Sequence, residues 1–156
     1  MSRSYATADE MNMPFTGAKL ALLVGHRIIV ILRDDIPTIP FPGYWDLPGG
    51  GREAGEPPLA CALRETFEEL GLTIRPDVIS WGRCFPSESE VNWFFVAHVP
   101  EEIVGSIRFG DEGQRWEVMA VTDFLNHPKA VPNFKIRLAI YLAEERELLR
   151  KNPPLI

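Results

Sequence analysis

An excess of positive charge is missing from this chain, where 16 lysines and arginines stand against 22 aspartates and glutamates for a net charge of −6 over 156 residues. No broad positive field exists to gather the phosphates of a nucleic-acid polymer, so such a polymer is not expected as the main partner. A small phosphorylated ligand stays open, because a divalent cation held by carboxylates reverses the local field. Cysteine is scarce as well: Cys61 and Cys84 are the only two, and they read as reduced thiols rather than as a disulfide framework. His26, His98 and His127 show no metal-ligand spacing. No run of about 18 apolar residues occurs, and the opening MSRSYATADEMNMPF lacks the apolar core of a signal peptide. The expectation is a cytoplasmic protein with no membrane partner.

Hydrophobic residues at 46% and charged residues at 24% lie close to the averages of a globular protein. The length suits one domain over residues 1–156, with 1–15 and 151–156 read as tails. Residues 18–24 and 27–33 are apolar runs joined by Gly25-His26, a two-residue hairpin turn between strands covered on both faces. From 34 to 55 four prolines and five glycines rule out a helix and leave a shaped loop. A helix follows over 57–70, with proline in its first turn and Gly71 as its left-handed cap. Strands are expected over 73–85, 91–99 and 116–121, and a second helix over 133–150.

On the first helix, at 100° per residue, Glu65, Glu68 and Glu69 fall within about 100° of one another and Cys61 beside them. Leu59, Leu63, Thr66, Phe67 and Leu70 form an apolar stripe on the opposite side, expected to pack on the sheet. Like charges at such spacings repel by about 0.2 to 0.5 kcal/mol per pair on an exposed helix. Arg64 offsets only part of that repulsion, and Mg²⁺ or Mn²⁺, which favour all-oxygen ligation, suit the remainder. An acidic cluster alone is more often a solvated face. The glycine-rich loop entering the same helix with Glu53 and Glu56 turns it into a concave acidic site.

Gly50-x5-Glu56-x7-Arg64-Glu65-x-x-Glu68-Glu69-x-Gly71-Leu72 resembles the box of the Nudix (MutT-like) hydrolases. Seven identities at fixed spacing arise by chance on the order of 10⁻⁸ per starting point when each residue type is used at about 7%. Thr66 departs from the aliphatic residue usual after Arg-Glu, and its hydroxyl can bond back along the helix. The box spans 23 of 156 residues, and the preceding WDLPGG, the paired strands and the closing helix also resemble the family's layout. The resemblance implies an α/β Nudix fold, an α/β/α sandwich around a mixed β-sheet.

It also implies metal-dependent cleavage of a diphosphate linkage by water attacking phosphorus, on a small nucleotide or nucleotide derivative. Glu65, Glu68 and Glu69 are then the ligand candidates, with the Gly50 carbonyl beside them and Arg64 holding a carboxylate in place. The general base is open between Glu65 and Glu112, the latter also a candidate ligand in a later loop. Glu53 and Glu56 are read as supporting residues, Glu56 bracing the loop through Arg64 or the backbone. Arg33 is a candidate for a phosphate or a partner of Asp34 and Asp35. Trp45, Trp93, Phe95 and Trp116 are weighed between base stacking and core, with Trp45 taken as a substrate contact. A nucleoside triphosphate pyrophosphatase is preferred, with ADP-ribose or a nucleotide sugar as the alternative substrate. A non-catalytic nucleotide-sensing module is the reading from another class, and a homodimer is left open.

Overall fold

The computed structural model describes residues 14–155. Strands β1 (Gly17–Val24) and β2 (Arg27–Leu32) form the expected hairpin, with Gly25 at φ 60° in the turn. Their pairing is short. Only Leu23↔Ile28 and Val24↔Arg27 face each other before the strands part. Two short strands inside the expected loop fill the gap: β3 (Trp45–Asp46) on β2, and β4 (Gly49–Gly51) on β1. Gly49 is required there, because a Cβ would lie 2.2 Å from the Ala18 carbonyl oxygen and its φ is 138°.

The other edge of β1 carries β6 (Val91–His98) in parallel, followed by β5 (Ile79–Pro86) antiparallel to β6, while β7 (Arg115–Ala120) runs antiparallel along β2. The sheet is therefore mixed. Helix α1 (Pro58–Leu70) covers one face, and α3 (Pro132–Lys151) the other. Alternation along the strands feeds two cores. Leu20, Leu22, Ile29, Trp93 and Phe95 join Cys61, Ala62 and Leu70 of α1, while Leu23, Ile28, Val30, Phe94 and Val96 join Leu138 and Tyr141 of α3. Each fully buried Leu or Phe contributes about 1.5 to 3 kcal/mol, and β1 supplies both faces at once, which accounts for its nearly unbroken apolar run.

Several expectations need correction. Residues 73–75 are irregular and Pro76–Val78 is a 3₁₀ turn, so the strand begins only at Ile79. The strand expected over 116–121 is β7, and Val121 opens a short helix α2 (Val121–Asn126) that the periodicity does not reveal. Of the N-terminal tail, 1–13 lie outside the described residues, but Phe15 is buried against the Arg52 guanidinium, 4.5 Å from the ring centroid. Among the described residues no helix is long and apolar enough to cross a membrane. Cys61 and Cys84 are not joined to each other.

Helix α1 is also turned from the expected orientation. Phe67 is 56% exposed, whereas Cys61, Ala62, Thr66 and Leu70 are fully buried. The inward face thus lies roughly 60° closer to the carboxylates than the apolar stripe alone implies. Thr66 sits in the core and its hydroxyl donates to the Ala62 carbonyl at 2.7 Å, and among the described residues no buried side-chain nitrogen or oxygen lacks a partner.

Candidate active site

That rotation places the glutamates at the rim between helix and sheet. Glu65, Glu68 and Glu69 line a cleft of about 470 Å³ together with the backbone of β4 and with Asp111 and Glu112. The last two arrive because residues 108–110 are fastened to the end of α1: Arg108 N–H donates to the Leu70 carbonyl at 2.8 Å and Gly110 N–H to the Glu69 carbonyl at 2.9 Å. Helix α1 ends in Gly71 at φ 66°, so its last carbonyls are free to accept these bonds.

Arg64 binds the acidic groups on one side of the cleft. Its Nε donates to Glu56 at 2.7 Å, its Nη1 to Glu65 and Glu68 at 3.1 Å, and its Nη2 to the Gly51 carbonyl at 2.9 Å. Glu53, on the exposed loop, approaches Arg64 at 3.5 Å. The Arg64 guanidinium holds the Glu56 carboxyl below the ordinary glutamate value, and Glu56 in turn raises Arg64. Glu65 is pushed up, mainly by burial, despite Arg64. Glu69 accepts from Gly49 N–H at 2.7 Å and has no arginine partner among the described residues, and burial raises its pKa to about 7, opposed by Lys19 and that backbone bond.

Lys19 and Arg33 also border the cleft, and both are engaged. Lys19 Nζ donates to Asp46, to the Leu47 carbonyl at 3.2 Å and to the Gly49 carbonyl at 3.0 Å. Arg33 pairs with Asp46 at 2.7 Å and with the Pro40 carbonyl at 2.9 Å, in place of the expected Asp34 and Asp35. Asp46 is 5% exposed. Lys19, Asp46 and Asp111 are thus neighbours of the cleft that the sequence does not reveal, since strand pairing brings β1 and β3 there and the backbone bonds of residues 108 and 110 to the end of α1 bring the 111–112 turn. Trp45 does not reach the cleft. It is buried in the α3-side core, edge-on to His127 and beneath the Arg115 guanidinium. Trp93 and Phe95 stack within the other core, and Trp116 packs against it.

The donor set suits a hard divalent cation. Glu65, Glu68, Glu69, Asp111 and Glu112 present carboxylate oxygens, and Gly50 packs so closely that a Cβ would lie 2.7 Å from the Glu65 carboxyl carbon. Among the described residues no three His, Cys, Asp or Glu side chains are placed so that they alone could hold a metal ion. Mg²⁺ needs none, because it keeps several waters and takes one or two carboxylates plus substrate phosphates.

Known proteins share the fold of this chain. The NUDIX domain family model matches residues 14–139. The chain belongs to the Nudix family. An RNA pyrophosphohydrolase of Bartonella henselae is 30% identical over 112 residues, which are 70% of this chain and 57% of that protein. The chain thus spans a little over half of that relative's length. Among solved structures, a MutT NUDIX hydrolase from Burkholderia pseudomallei is 25% identical with a TM-score of 0.62, covering 82% of this chain and 98% of that one. A bifunctional NMN adenylyltransferase/ADP ribose pyrophosphatase from Francisella tularensis, complexed with AMP and a Mn ion, is similar in fold at a TM-score of 0.67 and 17% identity, over 83% of this chain and 41% of that one. Divalent metal use is general in this family.

Proposed function

We propose that this Nudix protein is a metal-dependent pyrophosphohydrolase that cleaves a diphosphate linkage in a nucleoside diphosphate derivative, foremost a nucleoside triphosphate, to monophosphate and pyrophosphate. The observation that carries the reading is the grouping of Glu65, Glu68 and Glu69 on α1 opposite Glu112, with Lys19 and Arg33 at the border both paired to Asp46. Such a cleft repels a polyphosphate unless a cation enters with it.

Glu65, Glu68, Glu69 and Glu112, with the Gly50 carbonyl, would hold Mg²⁺ or Mn²⁺. Bound there, the cation supplies charge neutralisation for the phosphates and lowers the pKa of water. The chain's own residues do the rest. Arg64 fixes the rotamers of Glu65 and Glu68 and ties them to the Gly51 carbonyl, so the carboxylates are oriented before substrate arrives. Glu56 holds Arg64 from behind, and the Gly49 N–H does the same for Glu69. Glu65, partly desolvated, or Glu112, exposed on its turn, takes the proton of the attacking water.

The relative named RNA pyrophosphohydrolase favours a second reading, in which the diphosphate linkage belongs to an RNA. ADP-ribose and nucleotide sugars remain substrates to test alongside it. The deciding experiment incubates the protein with Mg²⁺ or Mn²⁺ and nucleoside triphosphates, ADP-ribose, nucleotide sugars and a 5′-triphosphorylated oligoribonucleotide, with products identified by mass. Monophosphate plus pyrophosphate, absent with Glu69→Gln, is the expected result. Ligand binding without turnover of any substrate would instead establish a sensing module.

A further inference from the structure

Beside the acidic cleft lies a second cavity of about 280 Å³. The backbone of Gly50 and Gly51 borders both, so one molecule can lie across the two. Away from that shared edge, its walls bring the Phe41 and Phe134 rings together with the Asn133 amide, the Arg137 guanidinium and the Glu90 carboxylate. Aromatic faces with a few convergent polar groups make a small-molecule site. A phenyl face also suits a nucleobase, which stacks on it whatever its identity.

The polar groups decide which base. Arg137 is half-buried over the Phe85 ring, 4.9 Å from its centroid, and among the described residues it forms no ion pair. Burial lowers its pKa, only partly offset by Cys84 and Glu90. Glu90 is an exposed residue of the cavity wall, and one of its carboxylate oxygens accepts from the Asn92 amide at 3.1 Å. Lys19 and Arg33, which also line the cavity, are committed to Asp46. Away from the edge shared with the acidic cleft, the charged groups among the described residues are therefore one guanidinium and one carboxylate, a pair that suits a neutral group with acceptors on one edge and donors on another.

Guanine has that pattern, with O6 and N7 as acceptors and its N1–H and 2-amino group as donors. Adenine places an amino group where O6 would be, donor against donor, since a guanidinium has no acceptor. We propose that this cavity is a base pocket selective for guanine over adenine nucleotides, with Arg137 reading O6 and N7 and Glu90 reading the N1–H and 2-amino edge. The inference rests on the acidic cleft being the diphosphate site.

Calorimetric titration of the protein in Mg²⁺ with GMP, IMP and AMP, which contain no diphosphate linkage, tests it without requiring turnover. The wild type should bind GMP about tenfold or more tightly than AMP, the scale of one bidentate contact, with IMP between them. Arg137→Ala should reduce the GMP-to-AMP ratio to about threefold or less, and Glu90→Gln should remove the advantage of GMP over IMP. Arg137→Gln, which keeps a side chain over Phe85, replaces the alanine variant if that one fails to fold. Equal or tighter binding of AMP by the wild type, an unchanged ratio in the Arg137 variants, or no GMP binding at millimolar concentration would overturn the proposal. Metal-dependent turnover of GTP and ATP at equal kcat/KM would sink this inference alone. A retained GMP preference without turnover of any substrate would sink the hydrolase reading and leave the pocket standing.

Discussion

The backbone N–H of Gly49 donates to the Glu69 carboxylate across 2.7 Å, so the same side chain faces the cleft and steadies the strand that forms its floor. Glutamine at position 69 keeps an oxygen for that bond and loses only the charge. Glu69→Gln should therefore fold with an unchanged or higher thermal midpoint, because a carboxylate raised by burial no longer has to ionise. Its metal-dependent product release should fall by about a hundredfold or more. Turnover at the wild-type rate, at matched metal, would remove Glu69 from the ligand set.

Arg64 is the common partner of Glu53, Glu56, Glu65 and Glu68. Arg64→Ala leaves Glu56 and Glu65, both largely buried, without a counter-charge, and should cost about 2 to 4 kcal/mol in urea unfolding. Lysine should restore only part of that, since it cannot reach two carboxylates and a carbonyl in one plane. The Glu56 contribution has a defined pH window. Because its folded pKa lies below the ordinary 4.5, the stabilisation is complete above that value and is lost as pH falls through the lowered one. An acid limb equally steep in the alanine variant would contradict this.

Cys61 is fully buried, donates to the Gly50 carbonyl at 3.5 Å, and burial together with Glu56 pushes its pKa up to about 11. The thiolate is the reactive form. Iodoacetamide at mildly alkaline pH should leave Cys61 unmodified in the folded protein and label it fully in denaturant, read by peptide mass. Rapid labelling of the native chain would show that the Gly50 loop opens freely.

Tyr141 accounts for an alkaline limit. Its ring is buried in the α3-side core, while its hydroxyl donates to the partly exposed Glu145 and meets the exposed His98 Nε2 at 2.7 Å, and burial, then Glu145, raises its pKa. The stabilisation is complete below the ordinary tyrosine value of about 10 and disappears as pH rises through the higher folded value. Unfolding free energies measured across that range should decline more for the wild type than for Tyr141→Phe; parallel curves would refute the link.

What could be read beforehand follows from distance along the chain. Glu65, Glu68 and Glu69 share a face because helical geometry alone puts them there, and the hairpin at Gly25-His26 and the cap at Gly71 are equally local. Phe67 was expected in the core and lies outside it, since periodicity gives a helix's faces relative to one another but not their angle to the sheet. Asp46 escaped notice for a related reason: its partners are 27 residues before it at Lys19 and 13 before it at Arg33, joined only once β3 wedges between β1 and β2. Trp45 looked like a stacking surface because an exposed and a buried tryptophan are identical in sequence.

The two glycines at the shared edge of the cavities divide the labour of the molecule. Carboxylates on one side come from α1 and the 111–112 turn, whereas Glu90 and Arg137 on the other come from the β5–β6 turn and α3. Selectivity can therefore be re-engineered by grafting the 87–90 turn and the first turns of α3 from another family member, with the hydrolytic half inherited intact.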